Sequence, residues 1–210
     1  MPEILRKIIE EQIVLAAWHI TESTEQLNSL ISLREEEQSL FDQFVAESRK
    51  KQWLAYRILI RRLLEPEDFP IEYDQSGKPF LAGSNFHISV THTDDLAAVI
   101  ISNKSKAGID TEKIKPRVRK VMDKFMNEDE VAALRPGHEL EQMTLVWCAK
   151  EAIYKYFGER SLDFRDNIFV EVPLRCGTEF NARVSFKDEH ESMRLFSEMV
   201  NDCIMVYLIG

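Results

Sequence analysis

Apolar residues at helical spacing predict a long helix over residues 36–64. No Gly or Pro interrupts this segment, and Pro66 and Pro70 follow it. Residues 120–134 and 139–157 also have the pattern of helices. The apolar positions that carry the first helix are Phe41, Phe44, Trp53, Leu54, Ile58 and Leu64.

Strand patterns lie between and after these helices. Residues 86–90 alternate at period two, which is typical of a half-buried strand, and residues 96–101 form a continuous apolar run. Further strands are predicted at 107–112, 167–172, 180–186 and 203–208. Each half of the chain reads as a helix followed by strands. We therefore expect two related α+β halves, residues 1–105 and 106–210, packed without a flexible linker.

The composition is that of a soluble globular protein, with 44% hydrophobic and 30% charged residues. No apolar run approaches the ~18 residues that span a bilayer. The N-terminal residues lack the apolar core and cleavage site of a signal peptide, so we expect a cytoplasmic protein without membrane contact. The cysteines have no zinc or disulfide spacing and are interpreted as reduced thiols: Cys148, Cys176 and Cys203.

Charge narrows the class of partner. A net charge of -9 argues against nucleic-acid binding. The cations are nevertheless grouped, which indicates a small anionic ligand or an acidic protein surface as the partner. One group is Arg49, Lys50, Lys51, Arg57, Arg61 and Arg62, and the other is Lys113, Lys115, Arg117, Arg119, Lys120 and Lys124.

Two acidic residues in the strand predicted at 107–112 form the first candidate for chemistry. Alternate side chains of a strand share a face, so Asp110 and Glu112 point the same way. Adjacent carboxylates repel unless a cation lies between them, and Mg²⁺ prefers carboxylate and phosphate oxygens. The alternative is a solvated strand end with ordinary surface acids.

The helix predicted at 139–157 contains the second candidate. Residues three and four apart share a helix face, so Trp147, Lys150, Glu151, Tyr154 and Lys155 line one side. A metal carboxylate flanked by phosphate-binding lysines explains this composition. The alternative is a salt-bridged amphipathic helix, which does not explain the Trp on the charged side.

A lysine in a turn and a histidine at a strand end form the third candidate. Lys78 lies in Gly77-Lys-Pro79, and His92 follows Thr91 near the end of a predicted strand. Both side chains can donate hydrogen bonds to phosphate oxygens. The alternative for a single His is a structural role.

These segments together resemble the 4′-phosphopantetheinyl transferase superfamily. The resemblance runs from about Gly77 to Lys155, in the order Gly-Lys-Pro, Thr-His-Thr, Gly-Ile-Asp-x-Glu and Trp-x-x-Lys-Glu-Ala-x-x-Lys. The spacing of the last two motifs is similar to that of the single-chain surfactin-synthetase-activator (Sfp-like) branch. The resemblance implies an α+β fold of two pseudo-symmetric α/β halves, each a small, mainly antiparallel sheet packed with helices. The metal site and the Trp-x-x-Lys-Glu helix fall in the second half.

The resemblance also implies roles for individual residues. It makes Asp110, Glu112 and Glu151 the Mg²⁺ ligands, and Glu130 a further acid near the metal. It assigns coenzyme A contacts to Lys78, Thr91, His92, Lys150, Lys155 and Arg57, and catalysis to Glu151, Asp110, Glu112 and Lys155. Thr91 stands where the family usually has Ser, which keeps the hydroxyl and adds a methyl.

The implied reaction transfers 4′-phosphopantetheine from coenzyme A to a serine of an acyl or peptidyl carrier protein and releases 3′,5′-ADP. The basic segment 113–124 is the candidate surface for the acidic carrier. Glu151, or a water polarised by Glu112 or Glu130, is the candidate acceptor of the serine proton. We expect a monomer, and fatty-acid, polyketide and nonribosomal-peptide carriers all remain open. The alternatives are a non-catalytic coenzyme A or nucleotide-binding module and a Mg²⁺-dependent phosphohydrolase.

Overall fold

The computed structural model describes residues 3–158, 162–186 and 189–210. The strands are β1 Glu3–Glu10, β2 Ile13–His19, β3 Ile71–Tyr73, β4 Pro79–Leu81, β5 His87–His92, β6 Leu96–Ser102, β7 Ala107–Lys113, β8 Ile168–Val170, β9 Glu179–Phe186, β10 Glu189–Val200 and β11 Cys203–Ile209. The helices are α1 Thr24–Asn28, α2 Glu35–Asp42, α3 Glu47–Leu64, α4 Glu128–Ala132 and α5 Glu139–Phe157. Short 3₁₀ helices span Pro116–Lys120 and Met122–Lys124.

The fold is α+β, as predicted, with two antiparallel sheets that each pack against a long helix. The first sheet has the order β1-β2-β6-β5 and the second the order β7-β11-β10-β9-β8. Helix α3 covers the first sheet through Trp53 and Ile58, and α5 covers the second through Leu145 and Ile153. The strands β3 and β4 form a separate hairpin that carries the Gly77-Lys-Pro79 turn.

A third buried cluster lies between the two sheets. It contains Ile13 and Leu15 of β2 and residues of β6 on one side, and Ile109 of β7 and residues of β11 on the other. The exact division of the chain into the halves 1–105 and 106–210 stays a prediction. Each sheet has its own core on the helix side and shares the third cluster with the other sheet.

Helix α5 lies unusually close to β7 because Gly108 has no side chain. A Cβ atom at Gly108 would lie 2.0 Å from the carbonyl oxygen of Ala152, a contact that no side chain can make. The approach brings Glu151, the neighbour of Ala152, beside the acidic end of β7. The helix ends at Phe157 because Gly158 adopts the left-handed conformation with φ 67.

Two predicted helices are wrong in extent. The segment 36–64 is divided into α2 and α3, because the chain turns at 43–46 and packs Phe41 and Phe44 against Trp53, with ring centroids 5.7 and 5.8 Å apart. The segment 120–134 forms only 3₁₀ turns and α4, because the Asn127 side chain accepts a hydrogen bond from the Glu130 N–H and starts a new helix there. The helix 139–157 is confirmed.

The predicted order of a helix followed by strands is also wrong. The strands β1 and β2 precede α1, and β7, the first strand of the second sheet along the chain, precedes α4 and α5. The predicted strands at 86–90, 96–101, 107–112, 180–186 and 203–208 are confirmed, and the one at 167–172 is shorter. Within the described residues, none of the helices combines the length and the hydrophobicity needed to cross a bilayer.

Candidate active site

Three predicted acidic residues lie on β7 and α5, which pack against each other. Asp110 is buried, with 6% of its surface exposed, and Glu112 and Glu151 are half-buried. Burial and then the charge of Asp110 raise the pKa of Glu112, and the same causes in the same order raise the pKa of Glu151 to about 7. The charge of Glu112 also contributes to the raised pKa of Glu151, so the three carboxylates act on one another.

Asp110 has one oxygen held and one oxygen without a partner. The Lys155 Nζ donates to Asp110 Oδ1 over 2.7 Å, and the Thr91 hydroxyl contacts the same oxygen over 3.1 Å. The Asp110 Oδ2 atom is buried and has no hydrogen-bond partner among the described residues. A buried carboxylate oxygen without a partner is costly, and a cation at this position would relieve that cost.

These residues fit a divalent cation. All the candidate ligand atoms are carboxylate oxygens, which suit a hard ion such as Mg²⁺, and their mutual repulsion needs positive charge to offset it. At Glu112 the guanidinium of Arg117 supplies part of that charge, with Arg117 Nη2 3.2 Å from Glu112 Oε2. The buried thiol of Cys148 lies near Asp110, since burial, followed by the charges of Asp110 and Glu112 and a hydrogen bond with Asp110, raises the pKa of Cys148.

Asp110, Glu112 and Glu151 do not each bring a ligand atom within 4.8 Å of the others, whereas a second acidic cluster does and already holds a cation. In the described part of the chain, one trio of acidic or thiol groups has its ligand atoms within 4.8 Å of one another, and it is Asp95, Asp202 and Cys203. Lys113 Nζ lies 2.7 Å from Asp95 and 3.0 Å from Asp202, so an ammonium neutralises this trio. Burial raises the pKa of Cys203 to about 11, which keeps the thiol protonated. Asp110, Glu112 and Glu151 therefore remain the better candidates for a metal.

His92 lies beside the acids in a neutral form. Burial, followed by the charges of Arg49 and Lys155, lowers the pKa of His92 to about 4. Arg49 Nη1 lies 2.8 Å from His92 Nε2, and because a guanidinium only donates, Nε2 accepts and Nδ1 carries the proton. The sequence analysis did not assign a role to Arg49 individually. Its only signal was membership of the basic run at 49–62.

Lys78 reaches a crevice at α5 from the β3–β4 hairpin. Its Nζ donates to the backbone carbonyl of Lys155, and burial followed by the charge of Lys106 lowers the pKa of Lys78. A cavity of about 260 Å³ lies here, lined by residues of the hairpin, β5 and α5, among them Lys78, Ser89, Glu151, Tyr154 and Lys155. The structure therefore brings Lys78 and Lys155 together with Glu151.

The interpretation of Lys150 as a phosphate ligand does not fit the structure. Its side chain is fully buried on the opposite side of α5, where Nζ lies 2.7 Å from Glu130 Oε2 and donates to the carbonyl oxygens of Phe125 and Phe164. These acceptors use all three ammonium hydrogens. Glu130 is equally buried, so the interpretation of Glu130 as an acid near the metal does not fit either.

Arg57, predicted to contact coenzyme A, is buried on α3. Its guanidinium is 1% exposed and stacks on the ring of Trp53, 3.8 Å from the ring centroid. It donates to the hydroxyls of Tyr56 and Tyr73 and forms an ion pair with Glu37. A contact with the 3′-phosphate of coenzyme A does not fit this buried position. Through its contact with Tyr73 on β3, Arg57 instead connects the β3–β4 hairpin to α3.

Thr91, also predicted to contact coenzyme A, has its hydroxyl between β5 and β7. The side chain is 4% exposed, and its hydroxyl contacts Asp110 and the backbone N–H of Thr111, not the open crevice. A direct hydrogen bond from this hydroxyl to coenzyme A does not fit the structure.

A second cavity, of about 400 Å³, opens beside Glu112. Its apolar walls come from Val118, Val121 and Trp147, and its rim carries the cations Lys113, Lys115, Arg117 and Lys120. The two apolar residues that directly follow the basic segment 113–124, Phe125 and Met126, are 1% exposed and belong to the core under α5. The basic segment is thus exposed next to the acids.

Comparison with known proteins gives matches in one family. Residues 106–202 match the 4′-phosphopantetheinyl transferase superfamily. The 4′-phosphopantetheinyl transferase AcpT of Salmonella typhi is 33% identical over 116 residues, which are 52% of this chain and 60% of that protein. AcpT of Escherichia coli O157:H7 is 31% identical over 116 residues, 52% of this chain and 59% of that protein. The matched segment thus spans about 60% of the length of these curated relatives.

Proposed function

We propose that this chain moves 4′-phosphopantetheine from coenzyme A to a carrier protein, because residues 106–202 match the 4′-phosphopantetheinyl transferase superfamily. The acceptor is a serine of an acyl or peptidyl carrier protein, and the second product is 3′,5′-ADP. The observation that carries the proposal is the unpartnered, buried Asp110 Oδ2 near Glu112 and Glu151, whose pKa values are raised by burial and then by the charge of Asp110.

In this reaction the serine oxygen forms a bond to the β-phosphorus of coenzyme A. The bond between that phosphorus and the bridging oxygen breaks, and the oxygen leaves with 3′,5′-ADP. Such transfers depend on positioning and on neutralising phosphate charge, not on covalent help from the protein. The chain has cations and hydrogen-bond donors for this task in one crevice.

Asp110, Glu112 and Glu151 would hold the metal. When bound, Mg²⁺ supplies positive charge that stabilises the pyrophosphate oxygens as charge develops on them. The contribution of Lys155 is to hold Asp110 Oδ1 through its 2.7 Å contact, which leaves the other oxygen for the cation.

Four donors surround the place proposed for the phosphates. Lys78 and Lys155 line the 260 Å³ cavity with Glu151. Arg49 and the neutral His92 lie at the other end of β5, where His92 Nδ1–H and the remaining N–H groups of Arg49 can donate to phosphate oxygens. Positive charge at both ends of the crevice suits a ligand with separate pyrophosphate and 3′-phosphate groups.

Glu151 is our candidate to accept the serine proton. Its carboxylate lines the 260 Å³ cavity beside Lys155, where it can accept a proton from a hydroxyl. Glu130 is excluded from this role because it is fully buried in its pair with Lys150.

Mass spectrometry of an apo carrier protein, incubated with coenzyme A, Mg²⁺ and this chain, tests the proposal directly. We expect the carrier to gain one phosphopantetheine and 3′,5′-ADP to accumulate in equal amount. Asp110→Asn should lose this activity by at least about 100-fold. The matched control is Asp202→Asn, which removes a carboxylate from the trio paired with Lys113 and should leave the rate unchanged.

The same reaction mixture separates the alternatives. Release of 3′,5′-ADP without a change in carrier mass would identify a phosphohydrolase. Coenzyme A binding without either product would identify a binding module. Either result, obtained with several acidic carrier proteins, would refute the proposed transferase activity.

The exposed basic segment is the proposed docking surface for the carrier. Lys120 and Lys124 are exposed next to the 400 Å³ cavity, and carrier proteins of this class are acidic around the reactive serine. Opposite charges at the rim of an interface mainly raise the association rate. The apolar walls at Val118 and Val121 supply a contact for the carrier beyond charge.

Charge reversal tests this surface. Lys120→Glu with Lys124→Glu should raise KM for the carrier on the order of tenfold and leave KM for coenzyme A unchanged. The control, Arg183→Glu with Arg194→Glu, makes the same change in net charge on the exposed face of β9 and β10 and should change neither constant. An equal rise of both KM values would contradict the assignment.

Three further expectations extend the proposal. The chain acts in the cytoplasm, as a monomer, and belongs to the Sfp-like branch. The monomer follows from a crevice that β5 and β7, α5 and the β3–β4 hairpin of one chain already enclose.

A further inference from the structure

Two side-chain hydroxyls join the sheets where β5 and β7 run side by side. The N–H of Ile109 donates to Ser89 Oγ over 3.2 Å, and the N–H of Thr111 donates to Thr91 Oγ1 over 3.1 Å. Both hydroxyl-bearing residues are buried, with 2% and 4% of their surface exposed. From Ser89 to Thr91 on β5 and from Ile109 to Thr111 on β7 the contacts advance by two residues, so the two strands run in the same direction. The two hydroxyl contacts follow one another along the line where β5 and β7 meet, which we call the seam.

The two hydroxyl contacts differ in one respect. The hydroxyl of Thr91 also contacts Asp110 Oδ1 over 3.1 Å, whereas the described contacts of the Ser89 hydroxyl include no carboxylate. A hydroxyl has one hydrogen to donate, and a backbone N–H can only donate. Because the N–H of Thr111 occupies an acceptor position of Thr91, the hydroxyl hydrogen of Thr91 is free to point at Asp110.

The Asp110 carboxylate is thereby fixed in orientation. Its Oδ1 accepts from the Thr91 hydroxyl and from Lys155 Nζ, and its Oδ2 is left buried without a partner among the described residues. Two donors on one oxygen prevent the carboxylate from rotating freely about its Cβ–Cγ bond. The other oxygen, Oδ2, is then the one left for a cation.

We infer that Thr91 is a positioning residue for the cation site, which orients Asp110 and makes no contact with coenzyme A. The inference rests on the proposed function only in that a divalent cation binds at Asp110. It explains why a β-branched residue suits this place, since the Thr91 methyl group packs in a closed seam while the hydroxyl serves both strands. Groups that orient a metal ligand through a hydrogen bond typically change metal affinity 10–100-fold when they are removed.

Binding of Mn²⁺ to the purified full-length chain, followed by the loss of its free-ion EPR signal, tests the inference without any activity assay. We expect Thr91→Val, which keeps the shape and removes the hydroxyl, to weaken Mn²⁺ binding by roughly 10-fold or more. Thr91→Ser restores the hydroxyl and should bind within about 2-fold of the wild type. Asp110→Asn shows how much Mn²⁺ binding weakens when a proposed ligand is lost.

Ser89→Ala is the matched control. It removes the neighbouring hydroxyl contact of the same seam and leaves the N–H of Ile109 without its acceptor, as Thr91→Val does for Thr111. Both variants should lower the melting temperature, but only Thr91→Val should weaken Mn²⁺ binding. A purely structural role for Thr91 predicts equal effects of the two variants on Mn²⁺ binding.

Each outcome decides the inference. Wild-type Mn²⁺ affinity in Thr91→Val, equal weakening in Ser89→Ala, or no Mn²⁺ binding by the wild type would overturn it. If the expected Mn²⁺ pattern is found and no carrier is modified, the inference stands and the proposed function fails. If carriers are modified and Thr91→Val binds Mn²⁺ normally, the inference alone fails.

Discussion

At the scale of single residues, His92 makes the stability of the protein depend on pH. Burial and the charges of Arg49 and Lys155 lower the pKa of His92 to about 4, from an ordinary value of 6.5. The unfolded chain therefore binds a proton at a pH where the folded chain does not. The stability contributed by neutral His92 is fully present above pH 6.5 and is lost as the pH falls toward 4.

The expected loss between pH 7.5 and pH 5 is about 2 kcal/mol of unfolding free energy. Urea denaturation of the wild type and of His92→Gln at both pH values measures this loss. The change in unfolding free energy with pH is compared between the two proteins, so that the contributions of other titrating groups cancel. His87→Gln is the control, because His87 lies at the exposed start of the same strand. An identical pH dependence in the wild type and His92→Gln would refute the prediction.

The residues that the sequence placed best are those whose spacing is set by one regular element. Asp110 and Glu112 share a face because they lie two apart on β7, and Glu151 lies on α5 where Gly108 admits the helix. Two other predicted ligands, Lys150 and Arg57, point inward, and the direction of one long side chain decides its contacts. A buried acid distant in sequence, Glu130 or Glu37, directs each of them inward, and such pairings leave no local pattern.

At the scale of elements, the Glu130–Lys150 pair ties α4 to α5 and β8. Glu130 Oε1 accepts from the N–H of Val170, Glu130 Oε2 lies 2.7 Å from Lys150 Nζ, and Lys150 donates to the carbonyl oxygen of Phe164. Burial lowers the pKa of Lys150, which the charge of Glu130 partly offsets. Removing one partner leaves the other charge buried and unpaired.

Lys150→Met should therefore lower the unfolding free energy by roughly 3–5 kcal/mol. The double variant Glu130→Gln with Lys150→Met removes both charges and should recover part of that loss. Urea denaturation measures all three proteins. Lys155→Met is the matched control on the same helix, and because Lys155 is partly exposed we expect a smaller loss of stability. Normal stability with weakened coenzyme A binding in Lys150→Met would restore the role of phosphate ligand.

Elements were predictable where a local pattern is strong and unbroken. Helix α5 and the strands β5, β6 and β7 follow such patterns. The turn at 43–46 was missed because it depends on packing of Phe44 against Trp53, a tertiary contact without a Gly or Pro signal. The strand β1 was missed because it lies at a sheet edge, where Ile4 and Ile8 are exposed and charged residues alternate irregularly.

At the scale of the whole molecule, the core between the two sheets couples the halves of the chain. Leu15 on β2 and Ile100 on β6 pack in the same buried cluster as Ile109 on β7 and Met205 on β11. Separating the sheets would expose this cluster and open the crevice that the proposed site occupies. The sequence showed two halves but not their shared core, because an apolar strand pattern does not say which partner covers each face.

We expect the halves to unfold in one cooperative transition. The three tryptophans report on both, since Trp18 on β2 and Trp53 on α3 lie in the core of the first sheet, and Trp147 on α5 packs against the core of the second. In ¹⁹F NMR of 5-fluorotryptophan-labelled protein, all native resonances should disappear at the same urea concentration. Leu15→Ala, which opens a cavity in the shared cluster, should cost about 2–5 kcal/mol and lower the midpoint of the Trp147 resonance as much as that of Trp53. If Leu15→Ala leaves the midpoint of the Trp147 resonance unchanged, the two sheets unfold independently.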